Sequence, residues 1–242
     1  MSAPYRPVTL DESAQLLAMS YRLRYQSFVL ERLFFNKDNY PKQLEFDTFD
    51  RMSVHVGVLD ANDALVGTTR IVPASSEGFP LFRHCRLYPN DTTLANPANS
   101  VVELSRVCLN DRWDRRAAAR PVAPGDERRA RPSLPPSPEP GREASDPFAA
   151  MIKGVYHATK RLHVTHWIVA MEKGLRRRLT HYGLPFRQAG PEADYHGPVA
   201  PYVLSLAELD EVILTRRFPP LNDIVRGLEP QFWPSSMIHT GV

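Results

Sequence analysis

The alternation of apolar and polar positions predicts a helix, then antiparallel strands, then a strand–helix–strand unit and further strands. Thr9 and Glu12 have the spacing of a capping box, which sets the start of a first helix near Thr9. Leu16, Leu17, Leu23 and Phe28 then form an interrupted apolar stripe at helical spacing, to about Glu31. After a polar loop containing Pro41, Val54, Val56 and Val58 alternate with Ser53, His55 and Gly57, the period of a strand. Asp60-Ala61-Asn62-Asp63 supplies turn chemistry, and LVGTTRIV returns as an antiparallel partner. SVVELSRVCL, 100–109, reads as a third strand. Further on, FAAMIKGVYHATKRL is a helix with Ile152, Val155, Tyr156, Thr159 and Leu162 on one face. THWIVAM is a short apolar strand, and EKGLRRRLTHYG a helix stopped by Gly183. LPFRQAG and VAPYVLSL finish as strands. This order predicts an α/β fold with a mixed, mostly antiparallel central sheet flanked by helices.

Composition fits that reading. The 242 residues are 43% hydrophobic and 24% charged, a globular balance in a chain long enough to bury a core. One segment departs from it: eight prolines fall between Pro121 and Pro147, among Arg, Glu, Ser and Gly. It is read as a flexible Arg/Pro-rich insertion at about 113–147 within a single domain spanning 1–242, because the segments on either side complete one sheet. No apolar run approaches the ~20 residues of a membrane span. The N-terminal stretch lacks an apolar signal core, and Cys85 and Cys108 make no disulfide framework, so a cytoplasmic protein is expected. A net charge of +3 does not imply nucleic acid as a partner.

Three clusters carry more charge and aromatic character than a solvated surface needs. Arg24-Tyr25-Gln26-Ser27-Phe28 lies late in the first helix, and Glu45-Phe46-Asp47-Thr48-Phe49-Asp50 alternates acids with aromatics. Arg70 sits inside the second strand, with Glu103, Ser105 and Arg106 on the third. Charges inside strands are costly unless paired, so Asp47 and Asp50 are the expected partners of the arginines. In a regular strand Glu103 and Ser105 share one face and Arg106 takes the other; a bulge would change that.

Taken in order, L-R-x-x-x-F, E-x-D-x-F-D, a strand arginine and E-x-S-R resemble the acyl-homoserine lactone synthase family over roughly residues 20–110. The resemblance implies the Gcn5-related N-acyltransferase (GNAT) fold, with Arg24, Asp47, Asp50, Arg70, Glu103 and Arg106 clustered beside the acyl-transfer site. Where that family usually has a tryptophan in its S-adenosylmethionine pocket, this chain has Phe34. Residues 151–202, with Gly190, Pro191, Asp194, Tyr195, His196, Gly197 and Pro198, are similar to acyltransferases associated with the PEP-CTERM/exosortase protein-sorting system. That likeness implies an N-acyl amino acid synthase: a long-chain acyl group passes from an acyl carrier protein thioester of phosphopantetheine to an amino acid. A lactone synthase using S-adenosylmethionine is the alternative, and a non-catalytic acyl-carrier or lipid-binding module a third reading.

Making an amide from a thioester needs a base for the amine and donors for the oxyanion. Glu103 is the expected base, with Ser105 and Arg106 beside it as catalytic candidates. In this fold the oxyanion donors are expected from backbone N–H groups around Arg106 to Leu109, where the central strand splays. Arg24, Phe28, Phe34, Asp47, Asp50 and Arg70 are expected around the substrates, and each of the three arginines suits an acceptor carboxylate. Acyl carrier proteins are acidic, so Lys153, Lys160 and Arg161 on one helix, and Lys173, Arg176, Arg177 and Arg178 on the next, form a candidate docking surface. The R/Q-x-x-G-x-G/A loop that holds acetyl-CoA phosphates is not visible after VELSRVCL, which favours the carrier protein over acyl-CoA as donor. No bound cofactor is expected. Each feature also has a plainer reading. The arginines and acids can be a structural ion-pair network, Arg176–Arg178 a solvated helix face, and Phe28, Phe34, Phe35, Phe46 and Trp167 ordinary core. His163, His166 and Cys108 lack the neighbours of a metal site or a thiol nucleophile.

Overall fold

The chain opens with an edge strand, not a helix. In the computed structural model, which describes residues 5–110, 146–215, 223–235 and 237, β1 (Tyr5–Thr9) pairs antiparallel with β2 (Val54–Asp60). Thr9 therefore ends a strand opposite Val56, and the expected capping box does not form. Helix α1 (Ala14–Arg24) begins at Ser13, whose Oγ accepts the Leu16 N–H. It reaches Glu31 as the stripe predicts, but residues Tyr25–Glu31 widen into a π-helix, a departure that often marks functional sites.

β2 and β3 (Leu65–Pro73) form the predicted hairpin, its turn held by Asp60 Oδ1, which accepts the N–H groups of Asn62 and Ala64. β4 (Val101–Leu109) adds antiparallel to β3. Both faces of β2 are covered. Helix α2 (Pro147–Arg161) packs so tightly on the Val56 face that a Cβ on Gly154 would lie 2.7 Å from Val56 Cγ1. On the opposite face the Tyr21 ring of α1 meets His55 edge-on at 5.8 Å. Asp146 caps α2 through the Phe148 N–H, so Pro147 opens a helix and does not belong to the insertion. The remainder of that expected insertion, like the stretch searched for a CoA phosphate loop, lies outside the described residues.

β5 (His166–Met171) leads into α3 (Lys173–His181), which ends before Gly183 at φ 79° as expected. Two-residue strands β6 (Arg187–Gln188) and β7 (Ala193–Asp194) both pair with β8 (Pro198–Ser205). Leu206, expected at the end of that strand, instead starts helix α4 (Leu206–Leu214). The strand order is β1-β2-β3-β4-β5-β8-β6, and β4–β5 is the parallel pair within it. β4 and β5 flank the Arg/Pro-rich segment in sequence and are neighbours in the sheet. The main core lies between the sheet and α2, with Tyr156, Trp167, Ile71 and Leu204 fully buried. Among the described residues no helix is long and apolar enough to cross a membrane.

Candidate active site

Two distortions of β4 create the site. The first is where it leaves β5. Their parallel ladder runs from Val101–His166 to Glu103–Ile168 and stops, so beyond Glu103 the two strands part. The second is a bulge against β3: Thr68 faces Cys108 while Arg70 faces Ser105, so two residues of β4, Arg106 and Val107, oppose one of β3, Thr69. Arg106 occupies the extra position with a left-handed backbone, φ 56°. Strict alternation would send Ser105 and Arg106 to opposite faces. The bulge instead brings both to one cluster, where Arg70 and Arg106 bind the two oxygens of Asp47.

That cluster is a network of charge-assisted hydrogen bonds in which Arg70 Nη2 makes none. Arg24 donates through Nε to Glu45 Oε2 at 2.6 Å and grips Asp50 through Nη1 and Nη2 at 2.6 and 3.0 Å. Arg70 donates through Nη1 to Asp47 at 2.6 Å, lies 3.0 Å from Asp50 Oδ2, and reaches Ser105 Oγ through Nε at 3.2 Å. Arg106 donates to Glu45 Oε1 at 3.0 Å and to Asp47 Oδ2 at 3.1 Å. Locally the acids are fixed by a 3-10 turn, Thr48–Met52: Asp47 caps it and accepts the Phe49 N–H, while Asp50 accepts the Asp47 N–H. Burial alone would lift the Asp50 carboxyl, but His55 and Arg24 hold it far below the usual carboxylate range. The structure therefore brings together the predicted Arg24, Asp47, Asp50, Arg70, Ser105 and Arg106. It adds Glu45, which joins Arg24 to Arg106, and His55, which the sequence showed only as a position in a strand alternation.

Glu103 stands apart from this network in its chemistry. It is 3% exposed, and its Oε2 accepts the Leu81 N–H at 2.9 Å. Burial raises its pKa from 4.5 to about 7, while the Leu81 N–H and the charges of Arg70 and Arg106 pull it down without cancelling the effect. A carboxylate poised there can take up a proton near neutral pH.

Glu103, Ser105 and Arg106 line a cavity of about 560 Å³ in the gap between β4 and β5. The π-helical segment and the turn after it contribute Phe28, Phe34 and Phe35, and the loop before β8 contributes Tyr195 and His196. Phe34 is near-parallel to both His196, at 4.8 Å, and Phe28, at 6.2 Å. The Arg106 guanidinium lies 4.9 Å from the Phe35 ring centre. Through Leu104, Val107, Val169 and Leu175 this cavity shares walls with a second, smaller one of about 50 Å³, lined by side chains such as Trp167, Met151 and Phe186. Phe46, grouped with these aromatics on sequence, is half exposed against Tyr21 and lines neither cavity. Tyr195 and His196 were visible in the sequence only as part of a Gly/Pro-bounded motif. Their signal is the reversed chain they sit on, with His196 at φ 55° and Gly197 at φ 116°.

The basic positions divide. Lys160 is bound to Asp210 at 2.8 Å, and Lys153 is half-buried. Arg178 is buried, 4.3 Å from the Phe148 ring centre and 3.6 Å from Asp146. Lys173, Arg176 and Arg177 remain exposed on α3, beside the cavity-lining Glu172 and Leu175.

Residues 23–122 match the family described as an acetyltransferase (GNAT) domain. The matched stretch contains every member of the charged cluster; Asp11, which pairs with His55, lies outside it. No curated protein matches the chain. Among solved structures it is similar to FeeM, an N-acyl amino acid synthase from uncultured soil microbes, at 12% identity and TM-score 0.56 over 86% of this chain and 93% of that one. It is similar to BjaI, a CoA-dependent acyl-homoserine lactone synthase bound to SAM and isopentyl-CoA, at 16% identity and TM-score 0.58 over 90% and 91%. TofI, in a ternary complex with an inhibitor and MTA, matches at 16% identity and TM-score 0.60 over 94% and 99%. At these identities the likenesses establish the GNAT-like fold.

Proposed function

We propose that the protein transfers a long-chain fatty acyl group from a phosphopantetheine thioester to the amine of an amino acid, giving an N-acyl amino acid. The observation that carries this reading is Glu103, a buried carboxylate with a pKa of about 7 on the wall of a cavity that adjoins an apolar one. The amine nitrogen attacks the thioester carbon, and its proton passes to Glu103. Backbone N–H groups of β4 beyond the end of its ladder with β5 meet the oxyanion. The carbonyl re-forms, the carbon–sulfur bond breaks, and the proton held by Glu103 passes to the leaving sulfur. The acyl tail follows Leu104, Val107, Val169 and Leu175 toward the apolar cavity. Arg106, which lines the larger cavity, is the arginine available to an acceptor carboxylate; Arg24 and Arg70, fully buried, shape the cluster behind it.

An acyl carrier protein is the proposed donor. Exposed Lys173, Arg176 and Arg177 beside the cavity support an acidic partner there. The resemblance of residues 151–202 to acyltransferases of the PEP-CTERM/exosortase system supports the amino acid as acceptor. Phe34, already stacked near His196 and Phe28, differs from the tryptophan of the lactone synthases. The test is incubation of purified protein with acyl carrier thioester or acyl-CoA and a panel of amino acids, read by mass spectrometry. N-acyl amino acid formed preferentially from the carrier thioester is the expected result. Methylthioadenosine released from S-adenosylmethionine would replace this reading with lactone synthesis. No product from any acceptor would leave a binding module.

A further inference from the structure

His55 takes no part in the chemistry above, yet its ring is almost completely buried and meets an acid at each nitrogen. Nδ1 lies 2.7 Å from Asp11 Oδ1, and Nε2 lies 2.9 Å from Asp50 Oδ1. Asp11 Oδ2 also accepts the His55 backbone N–H at 2.8 Å, which fixes the acid in place. An ionised carboxylate can only accept, whereas a neutral imidazole donates at one nitrogen and accepts at the other. A neutral ring would therefore turn a lone pair against a carboxylate oxygen at one of its two contacts. An imidazolium donates at both.

The charges around it lead to the same conclusion. The groups facing the ring are Asp11 from the turn after β1, Tyr21 edge-on from α1, and Asp50 from the 3-10 turn. Arg24 binds the same Asp50 from α1, and Arg70 is the cross-strand neighbour of His55 on β3. Arg24, Arg70 and Arg106 face Asp11, Glu45, Asp47 and Asp50. The cluster is neutral only when His55 carries the remaining positive charge.

We infer that His55 is a positioning residue: as an imidazolium it clamps Asp50, and through Asp50 the arginines that frame the cavity, and its deprotonation loosens the site. Desolvation opposes the charge, but the hydrogen bonds to Asp11 and Asp50 outweigh it and raise the pKa above the ordinary 6.5. The contribution to stability is thus complete below the ordinary histidine value and is lost as pH rises through the raised one. The kinetic consequence rests on the acyl-transfer reading; the protonation state does not.

Nitrogen-15 NMR of imidazole-labelled protein tests the charge directly. The signals are assigned by their loss in His55→Gln or, should that variant not fold, by through-space contacts with the Tyr21 ring. Two protonated ring nitrogens at neutral pH are expected. A single protonated nitrogen overturns the inference whether or not the protein is active. The second measurement is kcat/KM for N-acyl product from neutral to alkaline pH. His55→Gln is expected to lower it by about ten- to hundredfold at neutral pH, the scale of a small misplacement of catalytic groups, and to remove the alkaline fall expected of wild type. The same alkaline fall in both proteins rejects the positioning role. A wild type without product from any acceptor rejects the acyl-transfer reading, and the NMR result then decides His55 alone.

Discussion

Replacing Glu103 with Gln should make the protein more stable and nearly inactive at once. The carboxyl is raised from 4.5 to about 7 by burial, and each pKa unit corresponds to about 1.4 kcal/mol. Keeping it ionised therefore costs the folded state about 3 kcal/mol. The sign follows from which state releases the proton first. Below the ordinary carboxylate value both states are protonated and nothing is lost. As pH rises toward 7 the unfolded chain ionises while the folded one resists, so the penalty grows and then levels off. Gln keeps the shape, and its Oε1 can accept the Leu81 N–H that Glu103 accepts at 2.9 Å, but it carries no charge. The stability of the variant relative to wild type should rise by about 2–3 kcal/mol between about pH 5 and about pH 8, roughly 5–10 °C in Tm for a chain of this length. Scanning calorimetry of both proteins at the two pH values reads this directly. In parallel, kcat/KM should fall by about 10²–10⁴, the usual contribution of a general base. A Tm difference that does not change with pH would refute the reasoning, since Glu103 would then ionise as an ordinary carboxylate with no special fitness as a base.

Three further changes probe the surroundings. Asp50→Asn removes the anion shared by Arg24, Arg70 and His55, and denaturant titration should show a loss of about 3–5 kcal/mol, the cost of stranding buried charges. Gly190→Ala puts a Cβ 1.9 Å from the Arg86 carbonyl oxygen, so the loop leading to Tyr195 and His196 must move; thermal melts should show about 1–3 kcal/mol of destabilisation. Leu175→Trp fills the wall shared by the two cavities, and mass spectrometry across acyl lengths should show turnover kept for short chains and lost for long ones.

Where burial and periodicity coincide, the sequence was a good guide: the β2–β3 hairpin, β4, α2, β5 and α3 all lie where their patterns put them. It failed at elements whose pattern is weak or borrowed. β1 is five residues, YRPVT, with an arginine and a proline in it, and its last residue mimics a helix cap. Ser205 ends β8 and stands at the N-cap of α4, with Glu208 three residues on, a helix-start spacing that the reading of VAPYVLSL as one strand passed over. His55 was not singled out, because alternation says only that two faces differ, and here α1 and α2 cover both. The arginine–acid cluster was legible for a physical reason, since charges inside strands demand partners and few acids were at hand. Glu45 was quoted in that cluster but not chosen, because sequence alone does not show that Arg24 and Arg106 need a common acceptor. Arg178, three residues beyond Leu175, shares its helix face, so helical phase alone separates it from the exposed Arg176 and Arg177.

The feature furthest from the sequence is also the one on which the site depends. A non-glycine residue with a left-handed backbone costs of order 1–3 kcal/mol and persists only where its surroundings over-determine it. At Arg106, φ 56°, the surroundings are Glu45 and Asp47, which take its Nε and Nη2. Buried ion pairs of this kind add little net stability once their desolvation is counted, so their effect is better sought in geometry. Without those two carboxylates nothing opposes a return of β4 to regular alternation. Arg106 would then swing to the opposite face, out of the cavity it now lines with Glu103 and Ser105. The charged cluster thus holds the central strand in a shape that pairing alone would not choose. That shape keeps the raised carboxyl of Glu103, the Arg106 guanidinium and the end of the β4–β5 ladder around one cavity.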